Sequence, residues 1–191
     1  ITEPTLMTVT MSFTAPSCSG GTNGTATASV AGGTAGYTYA WTTAPVQTTS
    51  AATGLSAIAY TVTVTDSKSC TRTNSVTLTE PTLMTVTMSF TSPSCSGGTN
   101  GTATASVAGG TSGYTYSWTT APAQTTSSAT GLSDIAYTVT VTDSKSCTRT
   151  NSVTLTEPTL MTVTMSFTAP SCSGGTNGTA TASVAGGTAG Y

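Results

Sequence analysis

The sequence predicts a tandem array of small all-β domains, each a two-layer β-sandwich, arranged end to end. Residues 2–78 return as residues 79–155 with six differences over 77 positions, and a third copy begins at Thr156. Such self-similarity at a fixed period is the signature of an array of modules. Within each copy, apolar and polar residues alternate in short runs separated by turns that contain Gly or Pro, which is typical of sandwich strands.

Six runs in the first copy predict strands. They are residues 6–13, 25–30, 37–41, 47–52, 59–65 and 71–78. In the first run Val9, Met11 and Phe13 fall on one face, which we expect to point into the core. Trp41 ends the third run and Tyr60 lies at the start of the fifth, two positions that fit an immunoglobulin-like core.

The repeat predicts a domain at residues 1–80, a second at residues 81–157, and the truncated start of a third at residues 158–191. Pro81 follows Glu80 at the joint between the first two, where proline limits flexibility. Because the third copy contains only two predicted strands, we expect the chain to be a window from a longer array. Those two strands alone would leave Val163, Met165 and Phe167 exposed.

The composition excludes several classes of function. Only 5% of the residues are charged, the net charge is −2 and histidine is absent. A chain without a basic patch cannot follow a phosphate backbone, so we expect no nucleic-acid partner. No apolar run reaches the roughly 18 residues that a membrane-spanning helix needs.

The ionisable residues do not suggest an active site. Without histidine, Ser-His and Cys-His catalysis are excluded, and the few carboxylates of each copy do not suggest an acid–base pair. A calcium site at the joint would combine Glu80 with Asp66 and further oxygen ligands, but Asp66 suits a turn residue better. We therefore expect no enzyme, no catalytic or cofactor-binding residue, no metal site and no cofactor.

The complete copies contain two cysteines each and the third contains one, and together these are Cys18, Cys70, Cys95, Cys147 and Cys172. Paired cysteines in a small, threonine-rich module with a thin core suggest disulfides formed in an oxidising compartment. We favour a bridge within a repeat, from Cys18 to Cys70. In a sandwich these two lie at opposite ends unless the first strand stops early, so a bridge between repeats, from Cys18 to Cys147, stays open.

The triplet Asn-Gly-Thr recurs at Asn23, Asn100 and Asn177. It matches the N-glycosylation sequon, but Asn-Gly is also a common tight-turn pair, which is the interpretation we favour. Exposed Thr and Ser side chains are candidates for O-glycans. An aromatic stripe over residues 37–41 predicts core, with a carbohydrate-binding platform as the alternative.

Several motifs of each copy resemble the SprB-type repeat of gliding-motility adhesins and other large secreted surface proteins. They are PSCSGGTNG, GGTAGYTYAW, YTVTVTDSKSC and VTLTEP, and the resemblance covers essentially the whole chain. It implies a PKD-like, immunoglobulin-like module, export to the cell surface, and long tandem arrays that form a filament or stalk. The family usually has proline before the first tyrosine of the aromatic strand, where this chain has Gly36 and Gly113. This departure should leave the fold unchanged.

We therefore expect a non-catalytic structural and adhesive segment of a long extracellular filament at the cell surface. Its partners would be neighbouring repeats of the same chain, identical chains in a fibre, or surface glycans. Two alternatives stay open. One is an array of carbohydrate-binding modules, and the other is a subunit of a fibre polymerised by β-strand exchange.

Overall fold

The structure is a computed structural model that describes Glu3 and residues 5–188 of the 191-residue chain. All fourteen secondary-structure elements in this part of the chain are β-strands. In chain order they are β1 (Thr8–Thr14), β2 (Gly24–Ala31), β3 (Thr38–Trp41), β4 (Ala51–Leu55), β5 (Ala59–Thr65), β6 (Thr71–Thr77), β7 (Thr85–Thr91), β8 (Gly101–Ala108), β9 (Thr115–Trp118), β10 (Ser128–Leu132), β11 (Ala136–Thr142), β12 (Thr148–Thr154), β13 (Thr162–Thr168) and β14 (Thr179–Ala185). The outermost residues of the first and third predicted domains, namely 1, 2, 4 and 189–191, lie outside the described residues.

Each complete copy of the repeat contains two antiparallel, three-stranded sheets. In the first copy their orders are β1–β2–β4 and β3–β5–β6, and the second copy repeats them as β7–β8–β10 and β9–β11–β12. Side chains from both sheets of the first copy meet in one hydrophobic cluster, which makes the copy a sandwich. This strand order is that of an immunoglobulin-like domain with three strands in each sheet. The predicted all-β, immunoglobulin-like fold class is confirmed.

Two aromatic residues anchor the core of the first sandwich. Trp41 is only 2% exposed, and its indole Nε1 donates to Thr49 O at 2.9 Å, so the polar atom of the buried ring is satisfied. Tyr60 is also buried, and its hydroxyl accepts a hydrogen bond from Ser56 N at 3.1 Å. A tyrosine that binds the backbone just upstream in this way is the tyrosine corner of immunoglobulin-like sandwiches. The predicted core roles of Trp41 and Tyr60 are confirmed.

The observed strands agree with the prediction except at the fourth. β5 covers the predicted residues 59–65, but β4 spans Ala51–Leu55 rather than residues 47–52. The residues before β4 form a loop held by side chains. Gln47 N donates to Thr43 Oγ1, and the side-chain amide of Gln47 donates to Thr53 O, both at 2.9 Å. The first bond occupies the backbone N–H of Gln47, which a strand would pair with a neighbour, and the second ties the Gln47 side chain to β4.

Burial along the inward face of β1 decreases from one end of the strand to the other. Val9 is buried, Met11 is half-buried and Phe13 is 52% exposed. The alternation places these side chains on one face. At the level of Phe13 the cover of that face reaches β2, where the opposite residue Ala26 is fully buried, but it does not reach the edge strand β1. The expectation that Phe13 points into the core is wrong for this reason.

The chain divides into two compact units. Unit 1 contains Ile1–Thr85 and two short segments of the second copy, Ala108–Gly113 and Asp143–Cys147. Unit 2 contains Val86–Val107, Tyr114–Thr142 and Thr148–Tyr191. Unit 1 therefore holds the first sandwich, and unit 2 holds most of the second pair of sheets and the third copy.

The third copy forms a hairpin in which β13 pairs with β14. Val163, Met165 and Phe167 lie along β13 and are exposed, Phe167 at 81%. The expectation that two strands alone leave these side chains uncovered is confirmed. In the first copy, by contrast, the equivalent Val9 is buried in the core between the two sheets.

Candidate functional site

The loop that follows the first strand of each copy is held in one shape by its own hydrogen bonds. We name residues 16–24, 93–101 and 170–178 the base loops. In the first of them Gly21 N donates to Cys18 O at 2.9 Å. Asn23 Oδ1 accepts from Ser17 N at 3.0 Å, and Asn23 Nδ2 donates to Ser17 Oγ at 2.6 Å. A Cβ on Gly21 would lie 2.8 Å from Cys18 O, so only glycine fits there.

Glu80, in the joint between the first two copies, accepts two hydrogen bonds from the first base loop. Ser19 Oγ donates to Oε1 at 3.1 Å, and Gly20 N donates to Oε2 at 2.7 Å. An ionised acceptor makes such bonds stronger than neutral ones. The second copy repeats both bonds, from Ser96 and Gly97 to Glu157.

The sequence placed Glu80 at the joint but did not reveal its hydrogen bonds to the base loop. A signal was available, because Thr-Glu-Pro recurs at Glu3, Glu80 and Glu157 in a chain with only 5% charged residues. An acidic residue kept at one position of every copy, where charge is otherwise rare, suggests a specific donor nearby.

A tight turn joins the last two strands of each sandwich. We name residues 66–70 and 143–147 the apex turns. In the second one, Asp143 Oδ1 accepts from Lys145 N and Cys147 N, and Oδ2 accepts from Thr111 N, all at 2.9 Å. Three N–H donors therefore surround one buried carboxylate. Asp66 makes the equivalent bonds in the first copy, which confirms that it is a turn residue.

Both apex carboxylates have pKa values below their ordinary range. The N–H of Thr111 is the main cause of the lowered pKa of Asp143, and the N–H of Thr34 has the same effect on the pKa of Asp66. Burial opposes the shift, but hydrogen bonds to the ionised form outweigh it. Both groups are therefore ionised acceptors at neutral pH and hold the turns that carry Cys70 and Cys147.

In unit 1 a disulfide joins Cys18 of the first base loop to Cys147 of the second apex turn. The two Cα atoms are 5.7 Å apart, and 129 residues separate the cysteines in the sequence. The expectation that we favoured, a bridge from Cys18 to Cys70 within one repeat, is therefore wrong. The alternative between repeats is the pairing observed.

The two ends of β1 explain why Cys18 does not reach Cys70. At the first end, Thr8 pairs with the last residue of β2, and shortly after it Thr34 N binds the apex turn that carries Cys70. Cys18 follows the other end of the strand. Seven residues of strand span roughly 20 Å, whereas bridged Cα atoms lie within about 7 Å of each other. The two cysteines of one copy thus lie at opposite ends of the sandwich.

The five candidate cysteines separate into one bonded pair and three thiols. Cys70, Cys95 and Cys172 are free and exposed. Cys70 lies in the first apex turn, and the other two lie in the second and third base loops. The one bond that forms therefore joins an apex turn to a base loop.

The three asparagines of the sequons are exposed and belong to the base loops. The side chains of Asn23, Asn100 and Asn177 each bind the backbone N–H and the hydroxyl of the serine six residues earlier. These bonds give the asparagines a structural role in the loops. Glycosylation at these positions, and at surface Thr and Ser, stays a prediction.

The aromatic stripe of β3 belongs to the core rather than to an open surface. Trp41 is buried, and Tyr37 and Tyr39 are half-buried against the core cluster. The hydroxyl of Tyr37 donates to Gly32 O at 2.7 Å. The prediction that this stripe is core is confirmed.

Among the described residues, no group of three or more His, Cys, Asp and Glu residues could hold a metal ion. Over Glu3 and residues 5–188, no helix is long and apolar enough to cross a membrane.

The sequence model of the SprB repeat matches the chain at residues 10–46, 87–123 and 164–191. The matches cover more than half of the chain and fall once in each copy. Each begins within the first strand of a copy and runs past its base loop. No curated protein matches the chain. The chain therefore belongs to the SprB repeat family.

Proposed function

We propose that the chain is a non-catalytic structural segment of an extracellular filament or stalk at the cell surface, and that the filament adheres to external surfaces. SprB repeats are structural repeats of a kind that occurs in cell-surface proteins. Near-identity of successive copies favours a role that depends on repetition rather than on one unique site. The single observation that carries the proposal is the covalent bond between two copies, from Cys18 to Cys147.

The bond supports a load-bearing role. It closes a covalent loop that begins at Cys18 and ends at Cys147, so a pull on the chain outside this loop passes through the two sulfurs. The sheets inside the loop then carry little of the load. A module of this size has a small core and modest stability of its own, so the cross-link keeps the length of a filament constant under tension.

The bond also supports an extracellular location. Structural disulfides form and persist in oxidising compartments and are rare where thiols are kept reduced. The geometry around this disulfide is built by residues that recur along the chain, including Glu80, with counterparts Glu3 and Glu157, and Asp143, with its counterpart Asp66. Hydrogen bonds therefore hold the segments on both sides of the disulfide.

An array of carbohydrate-binding modules is less well supported. Such modules stack sugars on exposed aromatic rings, but Trp41 is buried and its indole nitrogen is bound to Thr49. The half-buried Tyr37 uses its hydroxyl within the fold. No observation on the described residues favours this function as a second candidate.

Immunogold electron microscopy of intact source cells tests the location. An antibody raised against the purified chain should label filaments outside the cell without permeabilisation. The same antibody adsorbed with the purified chain serves as the control. Gold that appears only after permeabilisation would overturn the proposal.

The proposed adhesive role of the filament requires a separate test. Fab fragments from the same antibody should lower the attachment of these cells to a solid surface, whereas Fab adsorbed with the purified chain should not. If the Fab fragments labelled the filaments fully and attachment did not change, the adhesive role would be wrong and only the structural role would remain.

A further inference from the structure

Two apex turns have the same shape, but only one of them is bonded. In the first, Asp66 accepts the same three backbone hydrogen bonds as Asp143 in the second. The residue before the cysteine has φ of 65° in both turns. Cys147 is bonded to a base loop, whereas Cys70 is free and exposed. The first apex turn thus presents Cys70 in the same way as the second apex turn presents Cys147.

The three base loops also share one shape. In copies one to three, the N–H of the second glycine donates to the cysteine carbonyl at 2.9, 3.0 and 3.0 Å. The asparagine Oδ1 accepts from the serine N–H at 3.0, 3.1 and 3.1 Å. Only the loop of Cys18 is bonded, and Cys95 and Cys172 are free. The unbonded loops are therefore preorganised for the contact that the first loop makes.

A cavity of about 270 Å³ lies beside Cys70, and Glu3, Asp66 and Arg72 are among its lining residues. Glu3 occupies the position in Thr-Glu-Pro that Glu80 occupies at the bonded junction. There Glu80 accepts bonds from the serine hydroxyl and the glycine N–H of the bonded base loop. The cavity thus offers a base loop both the acceptor and the cysteine that it meets at the bonded junction.

We propose that the apex of the first copy is a docking site for a base loop of a second copy of this chain, closed by a disulfide to Cys70. Glu3 accepts the serine hydroxyl and the glycine N–H of the incoming loop. The partner cysteine is Cys172 of the second copy, because the serine hydroxyl and the glycine N–H of the Cys95 loop already donate to Glu157. One rule covers every such bond: an apex cysteine pairs with a base cysteine.

This inference names the partner of the structural segment proposed above and rests on that proposal only for its biological setting. Its experiment uses purified chains without cells. A failure of self-assembly and a failure of cell-surface location are therefore distinguishable.

The bond forms by thiol–disulfide exchange with a small disulfide such as oxidised glutathione. The thiolate of Cys70 attacks one sulfur of that disulfide, which yields a mixed disulfide and one glutathione thiolate. The thiolate of the base cysteine then attacks the sulfur of Cys70 and releases the second glutathione. Two protein thiols are oxidised, one small disulfide is reduced to two thiols, and the two protons pass to the released thiolates.

The experiment oxidises an equal mixture of ¹⁴N- and ¹⁵N-labelled chains with a glutathione buffer and maps the linkages by tryptic digestion and mass spectrometry. Cys70 falls in peptide 69–72, Cys95 in 73–145 and Cys172 in 150–191. The peptide of Cys147 has the same sequence as that of Cys70, so both chains carry the exposed substitution Arg149→Lys as a mass tag. The expected product is a covalent oligomer in which peptide 69–72 is linked to 150–191, with mixed isotopes.

Three outcomes would overturn the proposal. One is a product dominated by bonds between two apex cysteines, between two base cysteines, or from Cys70 to Cys95. Another is bonding of Cys70 within a single chain, seen as links of one isotope only. The third is a chain that stays monomeric with three free thiols.

Two variants sharpen the test. Cys70→Ser removes an exposed thiol and should abolish the oligomers, whereas oligomerisation at the wild-type rate would contradict the proposal. Glu3→Gln should slow the reaction roughly three- to tenfold, because a hydrogen bond to a charged acceptor is worth more than one to a neutral acceptor. Glu157→Gln is the matched control and lies outside the docking site, so its effect on a Cys70–Cys172 bond should be small. An unchanged rate of oligomer formation in Glu3→Gln would show that Glu3 takes no part in the docking site.

Discussion

Cys147 is bonded to Cys18 although the two belong to different copies of the repeat and lie 129 residues apart. The two partners are positioned by different anchors, since Asp143 holds the turn of Cys147 and Glu80 holds the loop of Cys18. Both anchors are carboxylates that accept backbone N–H groups. The disulfide therefore cross-links the two copies, so they are not independent modules.

Removing the bond should destabilise the chain more than removing a free thiol. We expect Cys147→Ser to lower the free energy of unfolding by about 2–5 kcal/mol, because the cross-link restricts the unfolded chain. Urea unfolding followed by circular dichroism measures this. Cys70→Ser is the matched control at the equivalent position of the first copy, and it should change stability by less than about 0.5 kcal/mol. Equal losses in the two variants would contradict the observed pairing.

Glu80 should protect the base loop that contains Cys18. Glu80→Gln keeps the size of the side chain but loses its charge, so we expect the Gly20 amide to exchange roughly fivefold faster with deuterium. Glu157→Gln, the control, should affect Gly97 and leave Gly20 unchanged. Mass spectrometry separates the two loops, because the peptide of Cys18 carries the peptide of Cys147 by its disulfide. If Gly20 exchanged faster in both variants, the protection of Gly20 would not depend on its direct hydrogen bond to Glu80, and the prediction would be wrong.

Stability should fall in acid through the two apex carboxylates. Their folded pKa values lie below the ordinary value of about 3.9, so they contribute stability above about pH 4 that is lost as the pH falls through the folded pKa. The double variant Asp66→Asn/Asp143→Asn should be less stable than wild type at neutral pH. The difference in urea midpoint between the double variant and the wild type should disappear as the pH is lowered. A gap that stays constant down to about pH 2 would contradict this account.

Force should reveal the covalent loop directly. The 129-residue separation corresponds to about 450 Å of extended chain at roughly 3.5 Å per residue. In single-molecule pulling from the chain ends, the reduced protein should extend about that much further than the oxidised protein. Cys147→Ser should behave as reduced under both conditions. Equal extension of oxidised and reduced wild type would mean that the two cysteines are not joined.

The strands could be predicted where apolar residues alternate strictly. Tyr60, Val62 and Val64 define β5 to the residue, because each side chain must face the core. The run predicted as the fourth strand, residues 47–52, contains only Thr, Ser, Ala and Gln, so its pattern does not distinguish strand from loop, and the hydrogen bonds of Gln47 decide the outcome. Alternation identifies a face but not the extent of the sheet that covers it, which is why the exposure of Phe13 was missed.

The site could be predicted only in part. Cysteine content indicated disulfides, and strand order indicated that Cys18 and Cys70 lie far apart. The actual partner depends on which loops of successive copies meet, and this is set by tertiary contacts such as those of Glu80 rather than by the pattern within one copy. The six positions that differ between the copies could be predicted as outward or in loops, and none of them is buried.

Disulfide mapping of the native chain with the Arg149→Lys tag tests the central claim most directly. Without the tag, the tryptic peptides of Cys70 and Cys147 are both Ser-Cys-Thr-Arg and cannot be told apart. With the tag, we expect peptide 1–68, which contains Cys18, to be linked to Ser-Cys-Thr-Lys. Linkage of peptide 1–68 to Ser-Cys-Thr-Arg would place the bridge within one repeat and contradict the account.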